Sequence, residues 1–318
     1  MLSRKIKAMM IMVILTAMPL TLNAEDIDRF GSDFAPSASP HGKQIVYYAY
    51  REKRGDLPDL YIVDTKTGIE RRLTTTPGMF EIEPRWSPDG SAILFAGGPS
   101  MKELALYSIK PDGSDYQLFY DGDGFGPANW SPDGTQMVFW LKHDSGSSGL
   151  LLFNIETGAQ VPLEIDLGGN ISSPTWSPDG KKIAFSHQDT QDDGKPSDAA
   201  DGNDGIYMID LESKAISKIS DRPTNAYALE WATTGAYIYY MAPDDNEVMH
   251  IYRVSQTGGE ADKVTNDSNG SAYFPAFTDN GKTLLFSGRT QSDTTRIMAL
   301  PTNKIGVVGK QTTRVFVN

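Results

Sequence analysis

Six short apolar runs, IVYYAY, ILFAG, MVFWL, IAFSH, IYYMA and LLFSG, recur along the chain, each a few residues after a glycine. They are too short for helices and rich in β-branched and aromatic residues, which predicts strands. Roughly 10 to 20 residues later comes a second run in each copy: LYIVD, ALYSIK, LLLFNI, IYMID, IYRVS and RIMAL. In most copies a turn cluster such as DTKTG, KPDG, IETG or SQTGG follows, and then a polar segment such as ERRLTT or ISKIS. The glycines that open the copies, Gly42, Gly90, Gly134, Gly180, Gly235 and Gly281, are 48, 44, 46, 55 and 46 residues apart. Four short strands joined by tight turns on such a period make one blade of a propeller. The expected fold is all-β, a six-bladed β-propeller of four-stranded antiparallel blades.

The segment before each glycine supports this reading. WSPDG stands at 86–90, 130–134 and 176–180, with looser copies ASPHG, WATTG and FTDNG in the other three repeats. In a hairpin turn, proline sets φ at the second position, aspartate tolerates the third, and glycine takes the left-handed conformation that closes the turn. Asp89, Asp133 and Asp179 are therefore read as turn residues and not as a catalytic trio. A sialidase-type Asp-box has its aromatic after the Asp and Gly, and here the tryptophan precedes them. Trp86, Trp130, Trp176 and Trp231 are expected on inner strands, filling the space between blades.

The N-terminus changes the picture of where this ring works. Arg4, Lys5 and Lys7 precede an apolar run from Ala8 to Met18, shorter than the roughly 20 residues of a spanning helix. Residues 1–24 read as a secretory signal peptide and 25–318 as a single propeller domain. The expected product is periplasmic or secreted, not membrane-embedded. There is no cysteine, which excludes disulfides and thiolate chemistry. Without the leader, 26 basic residues face 41 acidic ones, a net charge near −15; such a surface repels phosphate backbones, so nucleic acid is not an expected partner.

Antiparallel strands place the WSPDG turns at one end of each blade and the second-to-third loops, with the connections between blades, at the other. Length variation concentrates at that second end, where binding is expected. Segments entering the inner strands put Glu81, Glu83, Asn170, Ser172, Tyr227 and Tyr273 at the channel mouth. Deeper, the position before each tryptophan is Ser37, Arg85, Asn129, Thr175, Glu230 or Ala276. This lining reads either as water-filled channel wall or as a pocket for a peptide tail or small polar ligand. In blade four the long loop 186–205 carries six aspartates, among them Asp189 and Asp193; it reads as a solvated acidic loop, with a calcium site as the alternative. Across the ring, blade one offers the basic run Arg51-Glu52-Lys53-Arg54, so the face is expected to be electrically polarised. No other cofactor is implied. His143 and His187 fall on this same face in adjacent blades and are the remaining metal candidates.

The sequence around these turns resembles the propeller repeats of the TolB family: Arg71-Arg72-Leu73-Thr74, then Pro84-Arg85-Trp86-Ser87-Pro88-Asp89-Gly90, then Leu106-Tyr107, with Pro174 to Gly180 repeating the pattern. The resemblance implies a propeller without the separate α/β domain that precedes it in TolB, since only about ten residues lie between the leader and the first repeat. The expected function is that of a non-catalytic, monomeric module whose variable face and channel mouth bind an envelope protein or an extended peptide. Oligogalacturonate lyase is also a propeller with a histidine-bearing metal site, so a secreted metal-dependent polysaccharide lyase is the enzymatic alternative. No Gly-x-Ser-x-Gly elbow occurs.

Overall fold

The computed structural model describes residues 32–51, 57–101, 103–121, 128–142, 148–188, 204–220, 226–266, 270–289, 294–305 and 313–314. These form 24 strands in six four-stranded sheets, each sheet built from four consecutive strands. Blade one holds β1 (Ser32–Ala38), β2 (Gln44–Tyr50), β3 (Asp59–Asp64) and β4 (Glu70–Arg72). Blade two holds β5 (Phe80–Trp86), β6 (Ile93–Gly98), β7 (Ala105–Ile109) and β8 (Gln117–Tyr120). Blade three runs from β9 (Asn129–Trp130) through β10 (Gln136–Lys142) and β11 (Ser148–Asn154) to β12 (Gln160–Leu163). Blade four is β13 (Asn170–Trp176), β14 (Lys182–Gln188), β15 (Gly205–Asp210) and β16 (Ile216–Ser220). Blade five is β17 (Tyr227–Trp231), β18 (Tyr237–Pro243), β19 (Met249–Ser255) and β20 (Asp262–Lys263). Blade six is β21 (Ala272–Thr278), β22 (Thr283–Arg289), β23 (Thr295–Pro301) and β24 (Thr313–Arg314). The C-terminal segment thus supplies the outer strand of blade six; the competing candidate, residues 26–30, lies outside the described residues, as do the leader and the loop residues His143, Asp189 and Asp193.

The WSPDG turns are built as their residues dictate. In each, the serine hydroxyl donates to the aspartate at 2.6 Å, and the glycine N–H donates to the serine carbonyl at 2.9 Å. The three glycines sit at φ 71° to 73°, a region other residues enter only at a cost. The serine, aspartate and backbone groups of the turn are thereby spent on one another. Trp86, Trp176 and Trp231 are buried, each in a cluster with the sheet of the preceding blade.

Five inner strands share a distortion. Ala35, Glu83, Ser173, Ala228 and Phe274, each three residues before the tryptophan-like position, have φ of 48° to 52°. At each of them the pairing of first and second strands shifts register, the signature of a β-bulge. Neighbouring blades satisfy the freed backbone groups: Ala35 N–H donates to Ser287 Oγ at 3.2 Å and Ala228 N–H to Ser173 Oγ at 3.1 Å. In blade three the corresponding residue, Pro127, lies outside the described residues.

Blade six meets blade one through side chains. Ile45, Tyr47, Tyr61 and Val63 pack with Ala276, Leu285 and Ile297, and Thr295 N–H donates to Ser32 Oγ at 3.1 Å. Arg51 pairs with Asp33 at 2.5 Å and Glu70 at 3.2 Å, and its guanidinium lies 4.9 Å from the Tyr61 ring centre.

Candidate functional site

The bulges aim part of each inner strand at the ring axis, and there a narrow cavity is lined by Glu83, Arg85, Asn129, Ser173, Tyr227 and Phe274, among others. Its volume is about 30 Å³, room for a water or two and no more. The reason for the constriction is an ion pair across the axis. Arg85 of blade two and Glu230 of blade five, which stand opposite each other in a six-membered ring, approach to 3.8 Å.

Three ionisable groups in so enclosed a space perturb one another. Burial pushes the Glu83 carboxyl up to about 7, against the smaller opposing pull of the Arg85 guanidinium. The same two causes, in the same order, raise Glu230. The Arg85 guanidinium acts on both carboxyl groups, and burial favours their protonated forms. Tyr227, raised by burial, supplies a hydroxyl beside them.

Not every residue expected at this site reaches it. Ser37 and Thr175 accept backbone N–H groups from Trp86 and Trp231 of the following blade, at 3.1 and 3.4 Å, and so staple blades together. Glu81 is fully buried in the seam between blades one and two, near Thr74, Thr76, Asp59 and Tyr116. Ser172 is tied to Ser186 at 2.7 Å, and its neighbour Ser173 lines the cavity instead. Tyr273 is buried in the core, and Asn170 pairs with Gln188 at the start of β13. His187 is buried, with its Nε2 2.9 Å from the Gly168 carbonyl and its ring edge-on to Tyr207. Among the described residues no three metal-ligating side chains gather. Of the basic run in blade one only Arg51 is described, and it is engaged with Asp33 and Glu70.

A second cavity, of about 420 Å³, opens at the second-to-third loop of blade five between Tyr240, Pro243, Asp244, Asn246, Tyr252 and Lys263. Beneath it the buried His250 stands 3.3 Å from the Asp244 carboxylate, with Thr265 Oγ 3.3 Å from its other nitrogen. Burial works to raise Asp244, but the Asn246 and Val248 N–H groups and the Lys263 ammonium bring it down to about 2. No repeat motif marks this cavity, whose turn Asp244-Asp245-Asn246 belongs to blade five alone.

The family model described as the TolB beta propeller domain matches residues 21–144 and 101–313. The chain belongs to the TolB β-propeller family. Among curated relatives, the Tol-Pal system protein TolB of Francisella tularensis is 30% identical over 162 residues, covering 51% of this chain and 34% of that protein. The chain spans about half or less of the length of the first curated relatives it matches. Among solved structures, TolB from Acinetobacter baumannii superposes with a TM-score of 0.65 at 16% identity, over 83% of this chain and 62% of that one. Oligogalacturonate lyase from Vibrio parahaemolyticus superposes with a TM-score of 0.58 at 16% identity, over 93% and 80%. TolB-type propellers thus share this ring with an enzyme, and likeness at that identity shows the fold alone. Among the described residues, no helix is long and apolar enough to cross a membrane.

Proposed function

We propose that this protein is an exported, non-catalytic binding module of the cell envelope, which takes an extended peptide segment of a partner protein across the face bearing the second-to-third loops. The observation that carries this reading is the crossed channel. Arg85 and Glu230 bar the axis at 3.8 Å, and Glu83 stands beside them with its carboxyl raised to about 7. A bar of this kind keeps a chain from threading through and leaves charged groups at the mouth for the end of a peptide. An amino group there favours the ionised form of the buried carboxyl and gains a charge-assisted hydrogen bond to it. The similarity to TolB supports a protein partner.

A photo-crosslinking residue at Tyr227, with mass spectrometry of the adducts from envelope extract, tests this. Cross-links to one protein partner, reduced by Glu230→Gln, are the expected result. The lyase reading wins instead if the purified protein raises ultraviolet absorbance on uronate polymers in a metal-dependent manner, with no cross-linked partner.

A further inference from the structure

Blades one and two carry the same side-chain arrangement with one member missing. In blade one Asp33 faces Ala49 across the first strand pair, and Arg51 follows two residues on. In blade two Glu81 faces Gly97, and two residues on stands Pro99. The ring pair Tyr47 and Tyr61 of blade one becomes Phe95 and Tyr107, stacked at 6.2 and 5.8 Å respectively. Where blade one has Glu70, opposite Val63, blade two has Tyr116, one residue before β8 and against the Phe95 and Tyr107 rings. Blade one therefore has two carboxylates and two rings around the Arg51 guanidinium. Blade two has a carboxylate and three rings, Phe95, Tyr107 and Tyr116, with centroids 5.3 to 5.8 Å apart, and a proline in the arginine's place.

Glu81 is wholly buried, and neither of its oxygens makes a hydrogen bond of good geometry. The hydroxyls of Thr74, Thr76 and Tyr116 interact with it and pull its carboxyl down, but by less than burial raises it. The adjacent Asp59 is already matched by Arg72 at 2.6 Å, and burial raises the Glu81 carboxyl, which a cation brought beside it would reverse. A buried carboxylate without a counter-charge is unfavourable, and the rings around it present π faces that attract cations. Tyr116 forms the outer wall and is 36% exposed.

We propose that this seam between blades one and two is a binding site for a guanidinium group, the arginine side chain of a partner protein, which completes in blade two the arrangement that Arg51 completes in blade one. The site is separate from the channel and does not depend on the function proposed for it. The partner's arginine passes Tyr116, pairs with Glu81 and lies against the Phe95 and Tyr107 rings.

The probe is N-acetyl-arginine amide, titrated calorimetrically into the full-length protein, with the uncharged isostere N-acetyl-citrulline amide as control. The arginine compound is expected to bind about tenfold or more tightly than citrulline, and Glu81→Gln to lose that difference. Pro99→Arg, which restores the intramolecular cation, is expected to raise the melting temperature and abolish binding; it keeps the idea testable should Glu81→Gln fold poorly. Equal binding of citrulline, or Pro99→Arg without effect on binding, overturns the proposal. Lys102, in the same loop but outside the described residues, is the internal rival. If the unaltered protein binds nothing and Lys102→Ala both lowers the melting temperature and uncovers arginine binding, the cation is the protein's own and the proposal fails.

Discussion

Glu83 concentrates two unfavourable choices in one residue. Its backbone is left-handed at φ 51°, where a side chain crowds its own carbonyl, and its carboxyl is buried at the axis. Because burial raises its pKa to about 7 from 4.5, the folded state holds a proton over a range in which the unfolded chain has released it. Stability linked to this group is therefore fully present below about pH 4.5 and lost as pH rises through 7, by at most on the order of 3 kcal/mol. Glu83→Gln is expected to stabilise the protein at pH 8 and to have little effect at pH 4.5. Urea unfolding at both values checks this, and equal shifts at the two would show that the carboxyl is solvated. The turn aspartates behave oppositely. Asp89 is held below the usual carboxylate range by the Ser87 hydroxyl first, and then by the Ser91 N–H and hydroxyl, so its contribution is lost as pH falls.

At the scale of strands and turns, seams decide stability. Thr175 joins β13 to β17 by accepting the Trp231 N–H, and both residues are buried. Thr175→Val keeps the shape and removes the acceptor, which leaves a buried donor unmatched at a cost of about 1–3 kcal/mol. Trp176→Ala empties the seam between blades three and four and is expected to cost about 3–5 kcal/mol in chemical denaturation. The strands and turns were legible in the sequence because they depend on local chemistry: proline, aspartate and glycine at successive turn positions, and β-branched runs after them. Glu81 was not. Simple alternation puts Glu81, Glu83 and Arg85 on one side of β5, but the left-handed kink at Glu83 breaks it, so that Glu83 and Arg85 face the axis while Glu81 enters a seam. A proline follows the kinked residue in four of the five strands, Ala35, Glu83, Ser173 and Phe274, but the repeat of that step says nothing of which way the side chains turn. The bar between Arg85 and Glu230 was equally hidden, since two residues 145 positions apart become neighbours only once the ring has closed.

For the whole molecule, closure rests on the contact of blades six and one. Burial raises Asp33, while Arg51 and, less strongly, Arg296 pull it back, so removing Arg51 takes the main counter-charge from a carboxylate in a dry seam. Arg51→Met is expected to destabilise the protein by roughly 3–5 kcal/mol at neutral pH, and by less in acid, where Asp33 takes up a proton. Thermal melts at pH 7 and pH 4 measure the difference; an unchanged melting temperature at pH 7 would show that the Arg51 pairs within blade one add nothing to stability. The net charge of −12 works against compactness in general and falls in acid, so the comparison includes Lys218→Met, a cation on the outer strand of blade four, to separate that effect.

Each sheet takes its four strands from one uninterrupted stretch, and among the described residues no strand from the beginning of the chain enters the last sheet. Among the described residues, the clasp between the last sheet and the first is made by side chains. Like a split washer, such a hoop has a fixed place at which to spring, and tension applied along its rim should part blade six from blade one before any sheet unravels.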